Sequence, residues 1–390
     1  MIKKLFTQCN LYFGLFVLYE MHGFLYPKTS MLNKLLAFFI IAIGVVHFFK
    51  VLSSRKSERL HPFFKAFNTF AIFLSIYGIF NIITGGATPL VTSEVFLKNI
   101  LLSFLPLYSF FYFSQKGEIN STWIKYAFLV LCLLAFVQFT QNRIEELAEA
   151  AVERVNITNN KGYAFLALMP FLVFWKDRRT IQFVLLLFLT AYILMAMKRG
   201  AIVIGAFCST YFIFQTFKNS SSKERFILFV LVGAFVFLLF DLWGDYMSSN
   251  TYFQSRLEST LEGDTNGRND IYSSLYNHFT LDANLFNYFL GFGPDSTIAY
   301  YGHYAHQDWI ELLLNCGLIG VFIYGLFYIQ SFKTVRLFDN DSARICFMMS
   351  LFILFGKSMF SMGYQSIGIY QGLSIGYSLS TLMNYKSQKI

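Results

Sequence analysis

The sequence predicts an all-α polytopic membrane protein: about twelve transmembrane helices, with one large exported loop that contains short helices. Three observations carry that prediction. Of 390 residues, 56% are hydrophobic and only 14% are charged, whereas a soluble domain carries roughly 25% charged residues. The mean hydropathy is +0.51. Apolar runs also recur at spacings suited to crossing a bilayer, which takes about 20 residues per helix.

The chain opens Met1-Ile2-Lys3-Lys4 and runs into an apolar stretch from Leu11 to Tyr26. That resembles the opening of a signal peptide, but no small-x-small cleavage site follows, so it is expected to be an uncleaved first helix. Further spans are expected near 35–52, 67–84, 96–114, 124–140, 162–175, 180–197, 200–217, 226–244, 309–330, 343–362 and 365–384. Two connections are longer than the rest, 141–161 and 245–308. In the first, Ile144, Leu147, Ala151 and Val155 lie on one side and glutamates on the other, which predicts an amphipathic helix on the exported surface. The whole chain, 1–390, reads as a single integral membrane domain, with 245–308 as its exported loop.

Charge sets the orientation. Lys50, Arg55, Lys56, Arg59 and Lys65 share one connection; Lys116 with Lys125, Lys176 with Arg178 and Arg179, Lys218 with Lys223 and Arg225, and Lys333 with Arg336 and Arg344 mark other alternate ones. The positive-inside rule makes that side, and both termini, cytoplasmic. The same sorting accounts for the net charge of +9 without a nucleic-acid partner. The opposite connections are acidic, with Glu145, Glu146, Glu149 and Glu153 in one and Glu258, Glu262, Asp264, Asp270, Asp282 and Asp295 in the other. Cys9, Cys132, Cys208, Cys316 and Cys346 are scattered, with no Cys/His cluster, so neither a disulfide framework nor a zinc site is indicated.

Against that acidic background an exported cation needs a reason. Lys198 and Arg199 stand in the tight turn between the seventh and eighth spans, followed by Gly200. A pair of snorkelling cations is the bland reading; a site for a substrate anion is the favoured one, because charge at the membrane border is costly. Arg268 lies where Asp264 or Asn266 could cap a short helix with Ile271, Leu275 and Phe279 on one stripe. There it suits a phosphate, or a local salt bridge with Asp264 or Asp270. Gly291-Phe-Gly293-Pro reads as a turn before it reads as a ligand loop. His303 and His306 precede the tenth span without a third metal ligand. A histidine at that boundary suits proton transfer, with Asp308 and Glu311 placed to orient it or to act as the base themselves; an interfacial histidine without a role is the alternative. Lys357, well inside an apolar span, is a second-tier candidate.

Ala305-His306-Gln-Asp-Trp-Ile-Glu-Leu-Leu-Leu-Asn-Cys-Gly317-Leu-Ile-Gly320 resembles the His-polar…Gly-x-x-Gly signature of the bacterial O-antigen polymerase/ligase superfamily. Lys198-Arg199-Gly200-Ala201 is similar to that family's Arg-Gly turn, where Ser-Arg-Gly is commoner. Asn159-Asn160-Lys161-Gly-Tyr-Ala resembles its Asn-x-Asn…Ala segment, and Gly267-Arg268 followed by Gly291-Phe-Gly293 its loop pattern. The resemblance covers roughly residues 125–330, in the expected order.

It implies a metal-independent glycosyltransferase with a GT-C-like fold in the bacterial inner membrane, active on the periplasmic face and without a cofactor. The donor and acceptor would be undecaprenyl-diphosphate-linked glycans, in contact with membrane lipid. The expected activity is polymerisation of an O-antigen or capsule-type polysaccharide, with a chain-length regulator as a candidate partner. The alternatives are an O-antigen ligase acting on lipid A-core and, in another class, a flippase for lipid-linked oligosaccharides. His306 is the expected base, and Arg199 and Arg268 are expected to hold the diphosphate. Substrate contact is expected from Lys198, Asn160, Lys161 and Tyr272, and from Gly291, Gly293, His303 and Asp308.

Overall fold

The computed structural model describes residues 7–26, 30–53, 62–84, 90–153, 159–218, most of 220–237, and 268–388. Among these there is no strand. The helices are α1 (Gln8–Leu25), α2 (Met31–Ser53), α3 (Pro62–Thr84), α4 (Leu90–Gln115), α5 (Ser121–Glu153), α6 (Gly162–Leu168), α7 (Arg179–Met195) and α8 (Arg199–Lys218). After the loop come three short helices, α9 (Arg268–Leu281), α10 (Leu285–Leu290) and α11 (Ser296–Tyr301). The chain closes with α12 (Asp308–Val335), α13 (Asp341–Phe360) and α14 (Gly368–Gln388).

Among the described residues, seven helices are long and apolar enough to cross a membrane: α2, α3, α4, α5, α8, α12 and α13. Two apolar segments are shorter, Gly162–Trp175 and Arg179–Met195. The first is α6 continued as a 3-10 helix over Met169–Trp175, with Pro170 in its first turn. Proline cannot donate to the preceding turn, and the tighter winding at about 2.0 Å per residue lengthens the segment. The long helices carry large apolar side chains on the outside, among them Phe38, Phe49, Leu133, Phe207 and Phe322. A surface of that kind belongs in lipid, not in water. The chain is therefore a multi-pass helical membrane protein. Of the ninth expected span only a few residues are described, and residues 245–267 of the exported loop, with the expected caps Asp264 and Asn266, lie outside the described residues.

One expectation is corrected. The segment after 141 is not a separate surface helix: α5 runs unbroken from Ser121 to Glu153. Its sequence contains neither glycine nor proline, so nothing stops the helix at the end of its apolar part.

Packing follows the small residues. Gly372 and Gly376, one turn apart on α14, lie against the α4 backbone, where an added Cβ on Gly376 would stand 2.9 Å from the Leu107 carbonyl oxygen and the Phe111 nitrogen. Such small-x-x-x-small pairs allow close approach where no hydrophobic effect drives helix association. An aromatic core joins α3, α4 and α12 through Phe67, Phe70, Phe104, Tyr324 and Phe327.

Candidate functional site

The site lies where one end of the bundle meets the α9–α11 cap. On α9 the stripe expected from sequence is present: Leu275 and Phe279 are buried and Ile271 packs beside them. They cluster with Ala305 and Leu314, which seats the cap on the start of α12.

Helix α12 is broken at Gly317, whose φ of 65° and ψ of −164° are not helical. The break releases main-chain acceptors, and the cap uses them. Phe292 N–H donates to the Leu314 carbonyl at 2.7 Å, and Gly293 N–H to that of Asn315 at 3.3 Å. Tyr77 hydroxyl also donates to the Asn315 carbonyl. The two backbones touch: a Cβ on Gly291 would stand 2.5 Å from the Asn315 carbonyl oxygen, and one on Gly317 2.5 Å from that of Phe289. Both glycines also have positive φ, at 76° and 65°, where a side chain is disfavoured. Asn315 completes the joint, its side-chain oxygen accepting from the Ser296 amide at 3.0 Å and the Ser296 hydroxyl at 2.9 Å. Gly291 and Gly293, expected at the substrate, are thus committed to the joint between cap and helix.

His306 stands beside this joint in left-handed backbone, with φ 53°. The preceding amide fixes it: Ala305 N–H donates to Glu311 Oε1 at 2.5 Å, while the Thr297 hydroxyl donates to Glu311 Oε2 at 2.6 Å. Glu311 is wholly buried, so it positions the loop and is turned to no substrate. Asp308 is also wholly buried. It accepts from Gly363 N–H at 2.8 Å, Tyr364 N–H at 3.0 Å and Tyr324 hydroxyl at 2.6 Å. Expected as a substrate contact or a base, Asp308 instead ties the start of α12 to the α13–α14 connection.

Two of the three sequence-predicted cations, Lys198 and Arg268 but not Arg199, act electrostatically on His306. The charges of Lys198 and Arg268, with His303, act on its ring. Partial burial first, then these neighbours, lower the His306 pKa from the ordinary imidazole value. The ring is therefore neutral near pH 7 and can accept a proton. The charge of Arg268 acts on both Tyr272 and Tyr163. Arg199 opens α8 next door. Its neighbour Gly200 fits beneath Tyr163 and Phe360, where a Cβ would meet the Tyr163 hydroxyl at 2.5 Å. The turn before Lys198 is itself unusual, with Met197 in left-handed backbone at φ 52°. The three non-glycine residues with positive φ among those described, Met197, Asp295 and His306, all border this region. Such conformations cost about 1–3 kcal/mol each and cluster at functional sites.

Asn159 links the turn to α6: its amide donates to the Ala196 carbonyl at 2.9 Å, and its side chain donates to that of Phe139 at 3.0 Å. Asn160, Lys161, Tyr163 and Lys357 line a cavity of about 370 Å³ that reaches α1, α4 and α14. Asn160 and Lys161, expected at the substrate, lie in this cavity together with Tyr163. Among the described residues, no group of three His, Cys, Asp or Glu side chains could hold a metal ion.

Tyr163, Thr297 and Asn315 were not singled out from sequence in these roles, whereas Glu311 was expected either to orient His306 or to act as the base. Tyr163 follows directly on Asn159-Asn160-Lys161-Gly162, the one signal that could have marked it. No protein-family model matches the chain, and no curated protein matches it either.

Proposed function

We propose that the chain is a membrane glycosyltransferase, a polysaccharide polymerase of about twelve spans with GT-C-like architecture. It would transfer a glycan from its undecaprenyl diphosphate to the next lipid-linked repeat unit on the exported face of a bacterial inner membrane. One observation carries the reading: the charges of Lys198, Arg268 and His303 act on His306, with Arg199 next to Lys198 at the start of α8, at one end of an apolar bundle.

The chemistry matches those groups. An acceptor hydroxyl attacks the anomeric carbon, a carbon–oxygen bond forms, and the bond from that carbon to the diphosphate breaks. His306, kept neutral by burial first and by its cationic neighbours second, takes the hydroxyl proton. The departing diphosphate gains negative charge, which Arg199, Arg268 and Lys198 neutralise. The sequence resemblance to the O-antigen polymerase/ligase superfamily supports the same assignment.

The test is elongation by purified protein given lipid-linked repeat units in detergent. Longer chains should form, also in excess chelator, and Arg199→Ala, Arg268→Ala and His306→Ala should each abolish growth while the protein still inserts. A monodisperse protein that leaves the repeats unextended overturns the proposal, and near-normal polymer from His306→Ala removes its assignment as base.

A further inference from the structure

The cap meets the bundle well inside its end. Tyr77, whose hydroxyl donates to the Asn315 carbonyl at the joint, stands about two turns before the end of α3 at Thr84. Asn315 stands about two turns inside the start of α12 at Asp308. At a rise of about 1.5 Å per residue, the joint lies roughly 10 Å below the ends of both helices. Both helices are candidate spans, and beyond Tyr77 α3 still exposes Ile79, Phe80 and Ile83. The apolar zone of the bundle therefore reaches past the level at which α10 touches α12.

The two helices that open the cap differ on their outer faces. Along α9, Asp270, Ser273 and Asn277 are exposed, a face suited to water. From residue 283 to residue 294 the chain carries no charged side chain. Here, and at the end of α9, the exposed groups are Leu281, Leu285, Phe286 and Phe289, the first two at 80% and 76%. Large apolar side chains so crowded on an open surface mark an interaction site. Leu318 continues that surface on α12: it is exposed, and it follows the Gly317 that presses on Phe289.

The backbone of this segment meets the condition for immersion in hydrocarbon, where irregular chain is tolerated only if protein satisfies its polar groups. Asn284 caps α10, its side-chain oxygen accepting from Asn287 N–H at 2.9 Å. At the other end Gly291 N–H donates to the Asn287 carbonyl at 2.8 Å, and the Phe292 and Gly293 amides donate to Leu314 and Asn315. The Tyr288 hydroxyl turns back to the Thr280 carbonyl at 3.0 Å.

We infer that α10 is a re-entrant element, immersed in the lipid leaflet at the His306 end of the bundle, while α9 remains in water. Its partner is the acyl chains, which meet Leu281, Leu285, Phe286 and Phe289. Depth selects this occupant, together with the absence of charge and the continuity with the exposed face of α12. The cap thus holds the region around His306 at the membrane border, whatever reaction takes place there.

Spin-label accessibility in nanodiscs of phosphatidylethanolamine and phosphatidylglycerol tests this. The full-length protein carries Leu285→Cys or Phe286→Cys, with Ser273→Cys on α9 as the contrast. Each is made together with Cys132→Ser, because the other four native cysteines are buried. Labels at 285 and 286 should collide with oxygen, relative to a water-soluble nickel chelate, several-fold more often than the label at 273. In the unaltered chain, a phospholipid with a diazirine in its acyl chain should crosslink to residues 281–290 and spare 268–277. The inference is overturned if the nickel chelate reaches 285 and 286 as readily as 273, since α10 then faces water. Shielding of 285 and 286 from both reagents overturns it too, and dipolar broadening between labels would name a second copy as the occupant. Crosslinks absent from 281–290, or spread equally over both segments, overturn it without any substitution in the chain.

Discussion

Replacing Glu311 by alanine isolates how His306 is held. The Glu311 carboxylate is wholly buried and accepts two hydrogen bonds, from Ala305 N–H at 2.5 Å and from the Thr297 hydroxyl at 2.6 Å. A hydrogen bond contributes about 0.5–1.5 kcal/mol net, and up to about 3 kcal/mol to a charged acceptor, so the pair contributes about 3 kcal/mol. Their loss also leaves two buried donors without an acceptor. His306, the next residue, occupies left-handed backbone that costs an L-residue roughly 1–2 kcal/mol, so the released loop will leave it. A change of about 3 kcal/mol corresponds to roughly a hundredfold fall in the held population. Hydrogen exchange of the Ala305 amide reads this directly and needs no assumption about the reaction; chain elongation should fall in parallel. Glu311→Gln, which keeps one acceptor oxygen, should lose about tenfold by the same arithmetic. Unchanged exchange at Ala305 in the Glu311→Ala protein would refute the claim that this carboxylate holds the loop.

Four further outcomes follow from the same geometry. His306 must be neutral to accept a proton, and its pKa lies below the ordinary imidazole value, so activity should persist below neutral pH and fail only as pH drops through that lowered value. Lys198→Gln removes a positive neighbour, raises the His306 pKa and moves the acid limb of the pH–rate profile upward; a limb that stays in place or moves down contradicts the electrostatic contact. Gly317→Ala and Gly291→Ala each force a side chain onto backbone at positive φ and should cost about 2–4 kcal/mol, read as a lowered thermal midpoint in detergent. The double variant should cost less than the sum, because the two share one contact. Asp308→Ala removes the acceptor for Gly363, Tyr364 and Tyr324 and should destabilise by about 3–5 kcal/mol, visible in the melt of inactive and active preparations alike.

Helix positions were largely legible, because apolar runs of membrane length repeat between short charged connections. The site was legible in its charges and not in its supports. Lys198, Arg268, His303 and His306 stand out on a face otherwise rich in carboxylates, and the structure gathers them. Asp308 and Glu311 look from sequence like companions of His306, since they lie two and five residues away. Their partners decide otherwise: Gly363 and Tyr364 for one, Thr297 and Ala305 for the other. The Asp308 contacts span more than fifty positions, beyond the reach of any local pattern. The break at Gly317 was hidden for the same reason, since the backbone that presses on it belongs to Phe289 and Leu290. The extent of α5 misled in the other direction. An amphipathic stretch suggested a new element, yet without a breaking residue the helix continued.

The joint between α10 and α12 has a consequence for how this site could be re-engineered. It is made from main chain: Phe292 and Gly293 amides, Leu314 and Asn315 carbonyls, and two glycines in contact. Side chains on the outer face of the cap, such as Tyr276, Phe286 and Tyr300, take no part in that keying. The exposed residues of the cap can therefore be changed without shifting its register on the bundle. A transplanted loop would have to carry the Gly291–Gly293 turn, Ser296 and the Leu275–Phe279 stripe to dock in the same place.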